Sequence, residues 1–118
     1  MPKRIPTIIG ISAATSGAGK TTLIEKLIPD LLQKNINVSV VKHAHHNFDI
    51  DFPGKDSYRL RKSGAFQTLI FNNKRSALIT EFTEESESLQ KMIGQMDHDV
   101  DLIIVEGLRG SEFKKIEV

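Results

Sequence analysis

Residues 16–22 read Ser-Gly-Ala-Gly-Lys-Thr-Thr, and this stretch decides the fold of the chain. The apolar run Ile8-Ile9-Gly10-Ile11 precedes it, and a helical pattern that begins at Leu23 follows it. A glycine-rich turn between a strand and a helix directs several backbone N–H groups, and the positive end of the helix dipole, at one point. The stretch is therefore predicted to bind the phosphates of a nucleotide.

Each part of this turn has a predicted task. Lys20 is expected to reach the β- and γ-phosphates and to act in catalysis, and the Thr21 hydroxyl is expected to bind Mg²⁺. The Walker A pattern is incomplete, because Ala14 stands where its first glycine would fall. The alternative, a glycine-rich turn followed by a lysine by chance, is disfavoured by the flanking strand and helix. The predicted phosphate-binding residues are Ser16, Gly17, Ala18, Gly19, Lys20, Thr21 and Thr22.

The periodicity of the chain predicts alternating strands and helices. A first strand is expected at about 7–13 and a second, parallel to it, at 38–41. The helix between them is expected to kink or break at Pro29, since proline removes a backbone donor. Its predicted buried residues are Leu23, Ile24, Leu27, Leu31 and Leu32.

The second half of the chain predicts a short helix, a hairpin, a third helix and a buried strand. The short helix is expected at 57–63, capped by Asp56, and the two hairpin strands at 67–71 and 76–80. The third helix is expected to be capped by Thr83 and to bury Leu89, Met92, Ile93 and Met96. The run 100–105, apolar except for Asp101, is typical of a strand that is buried on both faces and leads to Glu106.

Length and composition favour one α/β domain. The chain has 118 residues, which suffices for a single nucleotide-binding domain over 1–118. Sixteen basic against fifteen acidic residues give a net charge of +1, so we expect neither nucleic acid nor a membrane as partner. The chain has no cysteine, which excludes disulfides, iron–sulfur clusters and thiolate metal sites and is compatible with the cytoplasm.

Glu106 is the candidate acidic ligand of the nucleotide's metal ion. The apolar run before it is expected to place Glu106 at the tip of a strand, where a carboxylate can hold Mg²⁺ or its water. Aspartate is commoner at this position of phosphate-loop proteins. A carboxylate that merely accepts backbone N–H bonds in the turn made by Gly107 is the alternative interpretation.

The polar loop 42–56 is predicted to face the same crevice, because it follows the carboxyl end of the second strand. Lys42 and one or two histidines, His43 and His46 among them, are expected to bind an anionic ligand. A zinc site and a solvated loop without a task are the alternatives. Asp49 or Asp51 could orient the attacking water. The basic residues that follow on the short helix could meet an anionic partner or be merely solvated; they are Arg59, Arg61 and Lys62, beside Tyr58.

Taken together, the stretches SGAGKTTLIEKLIP, KHAHHNFDID, PGKDSYRLRKSGA and IIVEG resemble the molybdopterin-guanine dinucleotide biosynthesis protein B family. The resemblance implies a P-loop NTPase-like fold of three layers, with a mostly parallel sheet and a β-hairpin. It also implies a homodimeric adaptor that binds GTP and Mg²⁺ in molybdenum cofactor biosynthesis and is at most a slow GTPase. The implied partners are the molybdopterin guanylyltransferase and other molybdopterin-handling proteins.

The chain departs from that family at its carboxyl terminus. It stops at residue 118, where a strand begins, whereas members continue into further strands and helices. We therefore expect C-terminal strands to be lacking, or a partner subunit to complete the sheet. The base-recognition motif Asn-Lys-x-Asp does not occur, since Ser76 stands in the place of the aspartate after Asn73-Lys74. A small-molecule kinase, or a phosphate-binding module without turnover, are the alternative functions.

Overall fold

The computed structural model describes residues 5–12, 19–44, 48, 50–51, 54–82 and 88–107, and the backbone of 114–117. The chain divides into two compact units, a first unit formed by Met1–His45 with Leu89–Val118 and a second unit, His46–Ser88. Their elements, in chain order, are β1 (Thr7–Ser12), α1 (Lys20–Gln33), β2 (Val38–Lys42), α2 (Asp56–Lys62), β3 (Gln67–Phe71), β4 (Ser76–Thr80), α3 (Leu89–Gly94), β5 (Leu102–Glu106) and β6 (Lys114–Glu117).

The first unit is built on a parallel sheet with the strand order β2-β5-β1-β6. The predicted parallel direction of β1 and β2 is confirmed, although the two strands do not pair, because β5 lies between them. The central position of β5 explains its apolar sequence, since both of its faces are covered. Ile103, Ile104 and Val105 are at most 2% exposed.

The helices of the first unit cover opposite faces of this sheet. Ile104 packs with Ile11 and with Ile24 of α1, whereas Ile103 and Val105 pack with Ile93 of α3. Successive strand residues point to opposite faces, so α1 and α3 form outer layers on either side of the sheet. The predicted three-layer arrangement is confirmed in this unit.

Helix α1 differs from the expectations in two respects. It continues through Pro29 to Gln33, so the predicted break does not occur. The packing of Leu27 and its neighbours on the sheet stabilises the helix despite the missing donor. Leu32 is 61% exposed rather than buried. It lies about 80° around the helix from Ile24, whereas Leu31 is displaced by only about 20°.

The second unit contains α2 and the antiparallel hairpin of β3 and β4. The predicted strand bounds are confirmed, with Gln67 opposite Thr80 and Phe71 opposite Ser76. The Asn72 side chain closes the turn by accepting the N–H groups of Lys74 and Arg75, at 2.8 and 3.0 Å. The predicted cap of α2 is wrong, because Asp56 lies in the first turn and Lys55 occupies the cap position without a side-chain bond.

Part of the predicted third helix can be compared with the structure. Helix α3 spans Leu89–Gly94, and Ile93 is buried as expected. The expected start at Thr83 falls in 83–87, outside the described residues. In the parts of the chain that the structure describes, no helix combines the length and the apolar composition needed to cross a membrane.

Candidate functional site

The carboxyl ends of three parallel strands meet at one edge of the sheet. Glu106, the last residue of β5, lies level with Ile11 of β1 on one side and with Lys42 of β2 on the other. Ligands of open α/β sheets bind outside the carboxyl ends of the strands. This edge of the first unit is therefore the candidate site.

Helix α1 presents its amino terminus at the site. Gly19 occupies the cap position with φ of 94°, a left-handed conformation that glycine adopts without the steric cost of a Cβ atom. The N–H group of Leu23 donates to the Gly19 carbonyl at 2.9 Å, which forms the first turn. An α-helix leaves its first N–H groups without partners inside the helix, so those of Lys20, Thr21 and Thr22 are suited to an anion.

A side-chain hydrogen bond joins the start of α1 to the end of β5. The Thr21 hydroxyl donates to Oε1 of Glu106 at 3.0 Å, although the two residues are 85 positions apart in the sequence. Glu106 is 8% exposed. Its carboxylate thus accepts a hydroxyl of the predicted phosphate turn, and the alternative in which it merely accepts backbone N–H groups does not describe this bond.

The end of β2 is bonded to the same residue. The His43 N–H group donates to the backbone oxygen of Glu106 at 3.1 Å, directly after the register pair of Lys42 and Glu106. The structure therefore brings Lys20, Thr21, Lys42, His43 and Glu106 to one edge of the first unit. Lys42 itself is exposed, so its ammonium group is accessible to a ligand.

The oxygen atoms of Thr21 and Glu106 suit a hard cation. Mg²⁺ prefers oxygen ligands and usually binds proteins through one or two side chains, with phosphate and water completing its shell. Among the described residues, no group of three or more His, Cys, Asp or Glu side chains could hold a metal ion by itself. The pair therefore fits an ion that arrives with a nucleotide better than a metal site made by the protein alone.

Asp51 belongs to a different cluster, within the second unit. Its Oδ1 atom accepts a hydrogen bond from the Arg61 guanidinium at 2.7 Å, and the same guanidinium donates to Oε1 of Glu81 at 2.7 Å. The side chains of Asp51 and Arg61 are 6% and 7% exposed. The bond from Arg61 lowers the pKa of the Asp51 carboxyl below its usual value, against the opposing effect of burial.

Arg61 does not belong to a solvated basic face of α2, unlike the expectation for this helix. Its guanidinium group is buried and paired, and it lies 5.4 Å from the centre of the Tyr58 ring. Arg59 and Lys62 remain exposed. The sequence contains no local signal for this pairing, because Asp51 and Glu81 are ten and twenty positions away.

Several predicted site residues lie outside the described residues. These are Ser16, Gly17 and Ala18 of the phosphate turn, and His46 and Asp49 of the loop after β2. Their assignments remain predictions. The zinc interpretation of the histidine cluster is untested for the same reason, since His45 and His46 fall in this group.

Comparison with known proteins identifies the family. The family model described as "Molybdopterin guanine dinucleotide synthesis protein B" (MobB) matches residues 8–118. The chain belongs to this family. Two curated relatives, both called molybdopterin-guanine dinucleotide biosynthesis adapter protein, support the membership. The protein from Escherichia coli (strain K12) is 51% identical over 88% of this chain, and that from Haemophilus influenzae is 44% identical over 98%.

Solved structures of MobB proteins confirm the predicted α/β fold. A crystal structure of molybdopterin-guanine biosynthesis protein B is 30% identical and covers 93% of this chain and 67% of its own, with a TM-score of 0.73. The Bacillus subtilis MobB structure is 22% identical, covers 95% and 67% of the two chains, and has a TM-score of 0.76. The chain spans less than two thirds of the curated relatives, 61% of the Escherichia coli protein and 64% of the Haemophilus influenzae protein.

Proposed function

We propose that this MobB family member is a GTP-binding adaptor in the biosynthesis of molybdopterin guanine dinucleotide. The observation that carries the proposal is the 3.0 Å bond between the Thr21 hydroxyl and the Glu106 carboxylate. It places two oxygen ligands for Mg²⁺ beside the amino terminus of α1, where phosphate binds in P-loop proteins. The two curated relatives are named molybdopterin-guanine dinucleotide biosynthesis adapter proteins, and these names suggest the pathway and the adaptor role.

The edge of the first unit that carries Lys20, Thr21, Lys42, His43 and Glu106, called the phosphate edge below, has a separate proposed role for each group of residues. In the proposed complex the Lys20 ammonium binds the β- and γ-phosphate oxygens, and residues 16–22 donate backbone N–H groups. Thr21 and Glu106 hold Mg²⁺ or its waters. When bound, Mg²⁺ would supply positive charge that neutralises the phosphates. Lys42, His43 and His46 contact the anionic ligand from the loop after β2.

Hydrolysis at this site is proposed to be slow. The Asp51 carboxylate accepts a hydrogen bond from Arg61 and pairs with its positive charge, an arrangement that suits a structural ion pair better than a general base. We therefore propose that Asp49 orients the attacking water.

The protein is proposed to work as an adaptor in the cytoplasm, beside the molybdopterin guanylyltransferase and other molybdopterin-handling proteins. Nucleotide binding rather than turnover is its main proposed activity.

Nucleotide titration tests the proposal. In calorimetry with Mg²⁺, GTP is expected to bind more tightly than ATP by about tenfold or more, because the family is named for the synthesis of a guanine dinucleotide. The chain should also retain the molybdopterin guanylyltransferase in a pull-down experiment. Equal affinity for GTP and ATP would contradict the guanine preference. Phosphate transfer to an added acceptor far faster than hydrolysis would replace the adaptor with a kinase.

We further propose that the protein is a homodimer and that the hairpin contributes to the interface. Arg61 of α2 contacts Glu81, which directly follows β4 and, by the alternation of strand side chains, falls on the same face as Ile79. The opposite face carries Leu69, Leu78 and Phe71, which are 59%, 54% and 74% exposed. A two-stranded hairpin with an uncovered apolar face is marginally stable alone, so a second copy that covers it would stabilise both.

A charge on that face is expected to produce monomers. Leu78→Lys places an ammonium group in the proposed interface, where burial without a partner is unfavourable. Sedimentation equilibrium should then show the mass of one chain, whereas the wild type shows two. Ile5→Lys is the matched control, because Ile5 is an apolar residue of the first unit that is 94% exposed. A Leu78→Lys variant that remains dimeric would exclude this face from the interface.

A further inference from the structure

The turn after β5 connects the ends of three strands. Gly107 follows Glu106 with φ of 93°, in the left-handed region that favours glycine. Its N–H group donates to the carbonyl of Ile11 in β1 at 3.2 Å. The turn is thus tied to the last part of β1, from which the chain continues into the phosphate turn.

The same turn is tied to the end of β2. The His43 N–H group donates to the Glu106 carbonyl, and the His43 carbonyl in turn lies close to Gly107. A methyl group on residue 107 would lie 3.3 Å from that carbonyl oxygen. This separation is tighter than normal van der Waals contact. A side chain at residue 107 would therefore require the His43 carbonyl to shift.

Two glycines of the second unit provide a comparison. Gly54 and Gly64 also have positive φ, of 94° and 116°, but a methyl group on either would meet no atom within 4 Å. A substitution at Gly64 therefore strains the backbone without displacing a neighbour. At Gly107 the same substitution strains the backbone and also pushes on His43.

We infer that Gly107 is a positioning residue of the phosphate edge. Its lack of a side chain lets the His43 carbonyl approach, and its left-handed turn holds the Glu106 carboxylate within reach of the Thr21 hydroxyl. The inference rests on the proposed nucleotide function for its effect on ligand binding. Its effect on the placement of His43 can be measured in the protein alone.

Amide hydrogen exchange tests the placement without a ligand. Gly107→Ala is expected to speed exchange of the His43 amide about tenfold or more, because the bond to the Glu106 carbonyl is loosened. Gly64→Ala carries a similar backbone strain and should leave the His43 amide unchanged. Unchanged exchange at His43 in Gly107→Ala, or equal acceleration in both variants, would overturn the inference.

Nucleotide binding with and without Mg²⁺ tests the role at the site. Mg²⁺ is expected to raise the GTP affinity of the wild type, and in Gly107→Ala this increase should be about tenfold smaller. The GTP affinity measured in EDTA should change little. Gly64→Ala should keep the full gain. Gly107→Asn tolerates positive φ better but still bears a Cβ atom, so it should fold more stably than Gly107→Ala and show the same loss.

The two measurements separate the inference from the proposed function. If the wild type binds no nucleotide, the proposed function fails, and exchange at His43 still decides whether Gly107 positions that residue. If GTP binds and the gain from Mg²⁺ survives in both Gly107 variants, the proposed function stands and the positioning role is wrong.

Discussion

Lys20→Ala is expected to abolish binding of Mg²⁺-GTP, with a loss of affinity of about a hundredfold or more. In the proposed complex the ammonium group of Lys20 is the cation that contacts the β- and γ-phosphates. Lys20 is the first residue of α1, so its side chain starts at the helix end that also offers backbone N–H groups. Isothermal titration calorimetry measures the loss directly.

Lys26→Ala is the control for Lys20→Ala. Lys26 is an exposed residue of the same helix and lies almost two turns away from its amino terminus. Both substitutions remove one positive charge, so a general electrostatic effect would weaken binding in both variants. The proposed phosphate site predicts a loss at Lys20 alone. GTP binding that survives in Lys20→Ala would remove the basis of the functional assignment.

Arg61→Ala is expected to destabilise the second unit more than a substitution of any other basic residue of α2. Its guanidinium group bonds the carboxylates of Asp51 and Glu81, both at 2.7 Å, and so joins the segment before α2 to the residue that follows β4. Removing it leaves the Asp51 carboxylate, 6% exposed, without this partner. Exchange of the hairpin amides should accelerate by about a hundredfold or more.

Arg59→Ala is the matched control, because Arg59 is an exposed arginine of the same helix. It should leave hairpin exchange close to that of the wild type.

The pH dependence of stability is a second readout for Arg61→Ala. Since the pKa of Asp51 is lowered in the folded state, the stabilisation by the ion pair is present above the ordinary value of 3.8 and is lost as pH falls below it.

The thermal midpoints of the wild type and Arg61→Ala should therefore converge below about pH 3.8. A difference that persists unchanged to lower pH would show that Arg61 stabilises the unit by packing, for instance on the Tyr58 ring, rather than by its charge. Hairpin exchange that is equal in Arg59→Ala and Arg61→Ala would show that the buried ion pair is not an organising feature of this unit.

Local sequence patterns predicted most of the elements. The hairpin bounds, 67–71 and 76–80, followed from two apolar runs separated by polar turn residues, and the apolar run before Glu106 predicted the buried central strand. The errors arose where packing overrides a local preference. Helix α1 passes Pro29 because its apolar face is held on the sheet, and Leu32 is exposed because it lies beside that face rather than on it.

By itself, the sequence determined the alternation of strands and helices and predicted a phosphate turn with the kind of ligand it would suit, because these depend on residues close together in the chain. The tertiary structure decided which distant side chains meet. It paired Thr21 with Glu106 across 85 positions, and it placed Asp51 on Arg61 rather than leaving that arginine on a solvated face. Such contacts depend on strand order and burial, which are properties of the whole fold and leave no periodic signal in the sequence.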